Sequence, residues 1–197
     1  MPTKTRTPSR RKDETHKRIV EAAARAIRRS GYAGTGVADI MKDVGLTHGG
    51  FYAHFASRDA MLAEAADRAC AEGFAVVAAS VAAAAPSATA LEVVLQAYLS
   101  QAHVEGMETG CGLAALCSET PRQSPEVRRA VTRRLKEMVD LVAREVPNTG
   151  PRGAHKQALV TVATMVGTLV LARAVDDPRL SNELRQAVLK HLTPSGS

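Results

Sequence analysis

Apolar residues recur along this chain at helical spacing and almost never alternate. Ile19, Ala22, Ala23, Ala26 and Ile27 keep the i, i+3, i+4, i+7, i+8 stripe of an amphipathic helix, with Ser30-Gly31 as its stop. Val37, Ile40, Met41 and Val44 mark a second, short helix, with Gly36 at its N-cap and Asp39 in its first turn. Gly45-Leu46-Thr47 then reads as a tight turn, and Thr47 is placed to cap a third helix running to about Phe55. Ser57 caps a fourth, which carries Met61, Leu62, Ala65, Ala66, Ala69 and Phe74 to roughly residue 84.

Beyond a break at Pro86-Ser87 the pattern predicts five more helices. The first runs from Ser87 to about Glu105 and buries Leu91, Val94, Leu95, Tyr98 and Leu99. A shorter one covers about Gly112 to Glu119. Ser124-Pro125-Glu126 starts the next, which ends at Glu145 before the stop Pro147-Asn148-Thr149-Gly150-Pro151. The last two span about His155 to Val175 and Ser181 to Leu192. With no repeat and no strand signal, the expectation is an all-α fold of about nine helices. It divides into a basic disordered tail (1–12), a small helical head (13–58) and a helical body (59–197).

Composition sharpens this picture. At 45% apolar over 197 residues the chain can bury a substantial core, and with no Trp, three Tyr and three Phe that core is aliphatic. Residues 1–60 hold twelve Lys/Arg against six Asp/Glu, whereas residues 61–197 hold fourteen of each. A basic head on a neutral body implies a polyanionic partner. Three cysteines make no disulfide framework and match no zinc spacing, and the six histidines are scattered. The basic N-terminus has no apolar stretch behind it. Of two uncharged runs, 73–91 is broken by Pro86, and 158–172 falls short of the roughly twenty residues a span needs. The reading is a soluble cytoplasmic protein with no membrane partner, no metal and no cofactor. No G-x-S-x-G, P-loop, H-E-x-x-H or dinucleotide fingerprint is present, so no catalytic residue is assigned.

Two short helices joined by a glycine turn are the layout of a helix-turn-helix. On this reading His48 to Phe55 enters the major groove. His48, Gly49 and Gly50 lie at its leading end, where the two glycines let the backbone approach DNA at a helix cost of about 1 kcal/mol each. Thr35, Thr47, Tyr52, His54 and Arg58 are suited to phosphate oxygens. Phe51 and Phe55, four apart, belong to the core, while Tyr52 and His54 point elsewhere.

Residues 31–62, GYAGTGVADIMKDVGLTHGGFYAHFASRDAML, resemble the DNA-binding signature of the TetR family. The likeness rests on Gly31-Tyr32, Thr35, Ile40, Gly45-Leu46-Thr47, Phe51-Tyr52-Ala53-His54-Phe55 and Ser57 to Leu62. Gly36 departs from the Thr or Ser usual there. The resemblance implies an all-helical homodimer whose last two helices pair in a four-helix interface, and a body cavity whose small-molecule effector releases operator DNA. Residues 169–184 are similar to the end of that interface. Independently, Ala163, Gly167 and Ala174 permit close helix packing, as they also would in an internal core helix.

For the effector the candidates are Phe74, Leu95, Tyr98, Leu99, His103, Met107, Leu113, Leu116, Met138 and Val166, with Tyr98 and His103 as the orienting polar groups. Such a wall favours an apolar or amphipathic effector. An alternative is thiol sensing through Cys111 and Cys117, which flank the sixth helix. Six residues amount to a rotation of about 240°, so they share no face, although Cys111 sits near a helix N-terminus. A third reading is a constitutive DNA-binding regulator with a filled body. In the expected mechanism two heads about 34 Å apart sit in successive major grooves of a near-palindromic operator. Effector binding then favours a wrongly spaced conformation.

Overall fold

The computed structural model describes residues 8–83, 89–146 and 150–193, and every element among them is helical. The α-helices are α1 (Pro8–Ser30), α2 (Val37–Asp43), α3 (Arg58–Ala82), α4 (Ala90–Tyr98), α5 (Gln101–Glu105), α6 (Gly112–Leu116), α7 (Pro125–Arg144), α8 (Gly150–Ala174) and α9 (Pro178–Leu192). Short 3-10 helices cover His48–Ala53 and Thr120–Arg122.

The stripe that predicts α1 is buried throughout, and Gly31, at φ +69°, ends the helix after Ser30. The helix nonetheless begins at Pro8, so residues 8–12 are helical rather than tail. An Arg10–Glu14 pair (3.6 Å) one turn apart supports that start. The rest of the expected tail, 1–7, lies outside the described residues, as do the Pro86-Ser87 break and Pro147-Asn148-Thr149.

The single helix expected to reach Glu105 is two. Thr89 and Glu92 form a reciprocal capping box that opens α4, and the Ser100 hydroxyl accepts from the His103 amide to start α5. Apolar period alone does not register such a break, because the buried positions that set it all lie in α4 and at Leu99, while α5 buries none of its residues. The expected sixth helix is also shorter, ending at Leu116 with a separate 3-10 turn around Pro121. Gly150-Pro151, read as a stop, instead opens α8, and Pro178 opens α9 three residues before Ser181. Both corrections have one cause: a proline in the first helical turn lacks an amide that would be unpaired there anyway.

The long α3 is the spine, packing against α1, α4, α6 and α7. Asp67 on α3 accepts from Arg134 (Nε, 2.7 Å) and from Arg133 on α7. Burial alone would raise its pKa, but these hydrogen bonds hold the carboxyl below its ordinary range. Next come α8, against α7, and α9 against α8. Buried Arg185 on α9 donates to the Leu99 carbonyl (2.9 Å) and to Gln101 Oε1 (2.7 Å), which fixes α9 across the break between α4 and α5. By length and composition α8 is apolar enough to cross a membrane. One side of it packs on α5, α6, α7 and α9.

Candidate nucleic-acid interface and interior cavity

The turn before the reading segment is set by backbone geometry. Gly45 takes φ +73°, its amide donates to Lys42 O (2.9 Å), and the Leu46 amide donates to Met41 O (2.8 Å). This is the two-bond Schellman closure that a left-handed residue permits. Arg18 on α1 donates to the Val44 carbonyl (2.7 Å) and pins the same turn to the head. Sequence reasoning missed Arg18, because nothing in its spacing separates a clamp from a solvated base.

His48–Ala53 is a 3-10 helix, not the α-helix expected, consistent with the low helix propensity of Gly49 and Gly50. Its two sides differ sharply. Phe51 and Phe55 stack (5.4 Å) in the core, as expected, whereas Tyr52 is 69% exposed with His48 edge-on to it (6.5 Å). Thr47, His48 and Gly49 are exposed on the same short segment. Thr47 occupies the N-cap position, but its hydroxyl makes no capping bond. The structure therefore brings Thr47, His48, Gly49, Gly50 and Tyr52 together.

Three other expected contacts are placed differently. Thr35 is 2% exposed and its hydroxyl donates to Gly31 O (2.7 Å), so it serves the loop before α2 rather than facing phosphate. Arg58 is at the surface but donates from one nitrogen to the carbonyls of Tyr32 and Thr35, bracing that loop. His54 is half-buried beside His16 (6.1 Å between rings) with Nδ1 buried and unpartnered. Burial first, then the neighbouring His16 and Lys12, lowers its pKa. Gly36 caps α2 without a side-chain bond, as its identity requires.

Behind the head a latch joins α1 to the body. Arg28 is buried, and its guanidinium donates to Glu72 Oε2 (2.7 Å), to Ala69 O (3.1 Å) and to the carbonyl of Glu108. Arg29 reaches the Glu108 carboxylate (3.1 Å), and Glu119 accepts from the Tyr32 amide (3.0 Å). Burial pushes the Tyr32 phenol up to about 12.

The segment carrying Glu108 and Glu119 also walls an interior cavity between α3, α4, α6, α7 and α8. Of the expected lining, Phe74, Tyr98, Leu113 and Met138 are there, joined by Cys70, Gly73, Val77, Val94, Cys111, Leu141, Val142 and Met165. Leu95, Leu99 and Leu116 are buried in packing elsewhere, Val166 is half-buried away from the cavity, and Met107 is exposed. Helical period marks which residues turn inward, but not which of them face a gap. As it stands the cavity has only about 10 Å³ of free space, room for no more than one water. Beside it, Gly112 lets α6 approach α3 closely, since a Cβ there would lie 2.9 Å from the Cys70 backbone nitrogen.

His103 lines a separate open groove of about 240 Å³, which shares Gly73 and Val77 with the cavity. Its ring bridges two backbone groups: Nδ1 donates to Tyr98 O (2.6 Å) and Nε2 accepts from the Cys111 amide (2.9 Å). Only the neutral ring satisfies both. Burial, with Arg173 nearby, lowers its pKa against the opposing pull of the Tyr98 carbonyl. His54 shifts the same way. The unfolded chain therefore binds protons below about pH 6.5 that the folded chain refuses. Unfolding free energy should be level above that pH and fall as pH drops below it. Urea titrations from pH 8 to 5 check this, and His103→Gln should flatten part of the slope. An equally steep fall in both proteins would remove His103 from the account.

The cysteines do not pair across α6. Cys111 and Cys117 stand at opposite ends of that helix, Cys111 and Cys70 are buried, and burial raises the Cys70 thiol well above its ordinary range. Among the described residues no group of three or more His, Cys, Asp or Glu side chains is arranged to hold a metal ion.

The profile of the family described as bacterial regulatory proteins, tetR family, matches residues 19–65. That of the transcriptional regulator LmrA/YxaF-like C-terminal domain matches residues 87–187, over half the chain. No curated protein sequence matches. Among solved structures, a TetR transcriptional regulator from Chloroflexus aurantiacus J-10-FL is 25% identical, with a TM-score of 0.78 over 94% of this chain and 98% of that one. A TetR-family regulator from Agrobacterium tumefaciens (21% identical; 93% and 100% covered; TM-score 0.75) shares the fold. So does the reduced form of NemR from E. coli (19% identical; 91% and 95% covered; TM-score 0.73).

Proposed function

The chain belongs to the TetR family of bacterial regulatory proteins and is a DNA-binding transcriptional regulator; from that premise we propose that it is a homodimeric repressor released from a near-palindromic operator by a small hydrophobic effector. It works in the cytoplasm, beside its DNA. The observation that carries the reading is the split character of the 3-10 helix. Its underside is locked into the head by Phe51 and Phe55, so Tyr52, His48 and Thr47 are presented outward from a rigid base. A head that carries the whole net positive charge supplies the attraction to phosphate.

Dimerisation is supported by α8. Val160, Ala163, Val170, Leu171 and Ala174 form an exposed stripe, and at Gly167 within it a Cβ would meet nothing within 4 Å. The chain's own packing thus gives no reason for glycine there, whereas a second α8 lying close does. Effector control is supported by the shared segment: Cys111 and Leu113 wall the cavity, and the same stretch holds Glu108 against α1 and Glu119 against Tyr32 just beyond its end. A ligand that parts the cavity walls moves the latch, and the heads change spacing.

The test is binding to a labelled duplex from upstream of the chain's own gene, against scrambled DNA, across a salt series. Tight, sequence-dependent binding with a steep salt slope is expected. The His48→Ala/Tyr52→Ala double variant should lose about 10- to 100-fold in operator affinity, some 1.4–2.8 kcal/mol over two subunits, with its melting temperature unchanged. Full affinity in that variant would refute the assignment of the reading surface.

A further inference from the structure

Tyr98 is 2% exposed and its hydroxyl has no nitrogen or oxygen partner, an unusual state for a buried phenol; the Cys111 thiol, a weak hydrogen-bonding group, is its polar neighbour. Tyr98 stands on the cavity wall, with no charged side chain on the lining. Close behind is Arg173. Its Nε donates to the Val104 carbonyl (3.2 Å) and its Nη2 to that of His103 (2.6 Å), capping the end of α5, while Nη1 is buried with no partner. Among the described residues no carboxylate pairs with this guanidinium, whose hydrogen bonds all go to backbone carbonyls. One end of an otherwise apolar cavity thus offers a spare O–H donor, and the Arg173 guanidinium lies outside the lining, bound to the carbonyl of His103, whose ring stands edge-on to Tyr98 (4.8 Å).

We propose that this cavity takes a hydrophobic small molecule bearing one acceptor oxygen, anionic or neutral, to which the Tyr98 hydroxyl donates. Lipophilic cations are disfavoured, since Arg173 repels them and no acidic side chain lines the cavity to receive them. The ligand enters where the open groove meets the cavity at Gly73 and Val77, parting α3 from α4 and α5. This rests on the effector reading above and adds the chemistry of its ligand.

Three probes with one chain length separate the possibilities: octanoate, 1-octanol and octyltrimethylammonium, titrated calorimetrically into the full-length protein and its Tyr98→Phe variant. Octanoate and octanol should bind the wild type, and the cation at least 10-fold more weakly. Tyr98→Phe should bind both oxygen ligands at least 5-fold more weakly, yet melt no lower than wild type, because it removes a buried hydroxyl whose one polar neighbour is a weakly bonding thiol. A role confined to packing would not produce that opposite pairing. Equal binding by the cation, undiminished binding by Tyr98→Phe, or binding by none of the three overturns the proposal. If the cation binds and releases operator DNA, effector control stands and this chemistry falls. If octanoate binds as expected but the DNA stays bound, the chemistry stands and the effector reading falls.

Discussion

A Gly167→Leu/Leu171→Glu double variant should sediment as a folded monomer and bind its operator 10²–10⁴-fold more weakly than the parent. Two linked heads bind a palindrome with an avidity far beyond one head's affinity, and that factor disappears when the link is cut. The choice of residues makes the result diagnostic. Leu171 is about half exposed, and the space over Gly167 is open, so neither change touches the subunit's own core. Leucine is also the better helix former, by close to 1 kcal/mol. In a close interface, by contrast, the leucines block approach and the glutamates are buried without partners. Analytical ultracentrifugation at micromolar protein, with circular dichroism to confirm helicity, decides it. A dimer that survives both changes would mean that the α8 stripe is covered by something else.

Arg28→Met should cost about 3 kcal/mol, lowering the melting temperature by about 6–12 °C. The guanidinium donates to two backbone carbonyls and to Glu72, and its own side chain is 1% exposed. Methionine fills the space but satisfies none of these acceptors, and buried acceptors left open are penalised more than the bonds themselves contribute. Arg68 still pairs with Glu72 (2.6 Å), which limits the loss. Arg29→Met is the control. Its pair with Glu108 is exposed at both ends, so it should change stability little. Differential scanning calorimetry of the two variants compares a buried clamp with a surface pair one residue away. Equal, small losses would show that Arg28 is not what holds α1 to the body.

Where one face of a helix is buried and the other wet, the sequence alone located the element. The stripes of α1 and α2 and the Ser124-Pro125-Glu126 start of α7 are such cases. It misled where the decisive fact was local: the Ser100 hydrogen bond that divides α4 from α5, and the prolines that begin α8 and α9. At the candidate site the exposed set around Tyr52 followed from spacing. The inward turn of Thr35 and His54 did not, because each is decided by a neighbour distant in sequence or by the path of a loop. Arg28, Arg18 and Arg173 were invisible for the same reason. A basic residue on a helix reads as solvated until the carbonyl it meets is known.

The segmented character of His48–Ala53 has a consequence for how such a regulator diverges. Anchoring is delegated to Phe51, and to Phe55 just beyond, while display falls to positions 48, 49 and 52, which carry almost none of the fold's stability. Substitutions at such surface positions usually alter folding by less than about 0.5 kcal/mol. If these positions read the operator as proposed, a duplicated copy can explore new operators there without first acquiring compensating mutations, with the same anchor beneath each new reader.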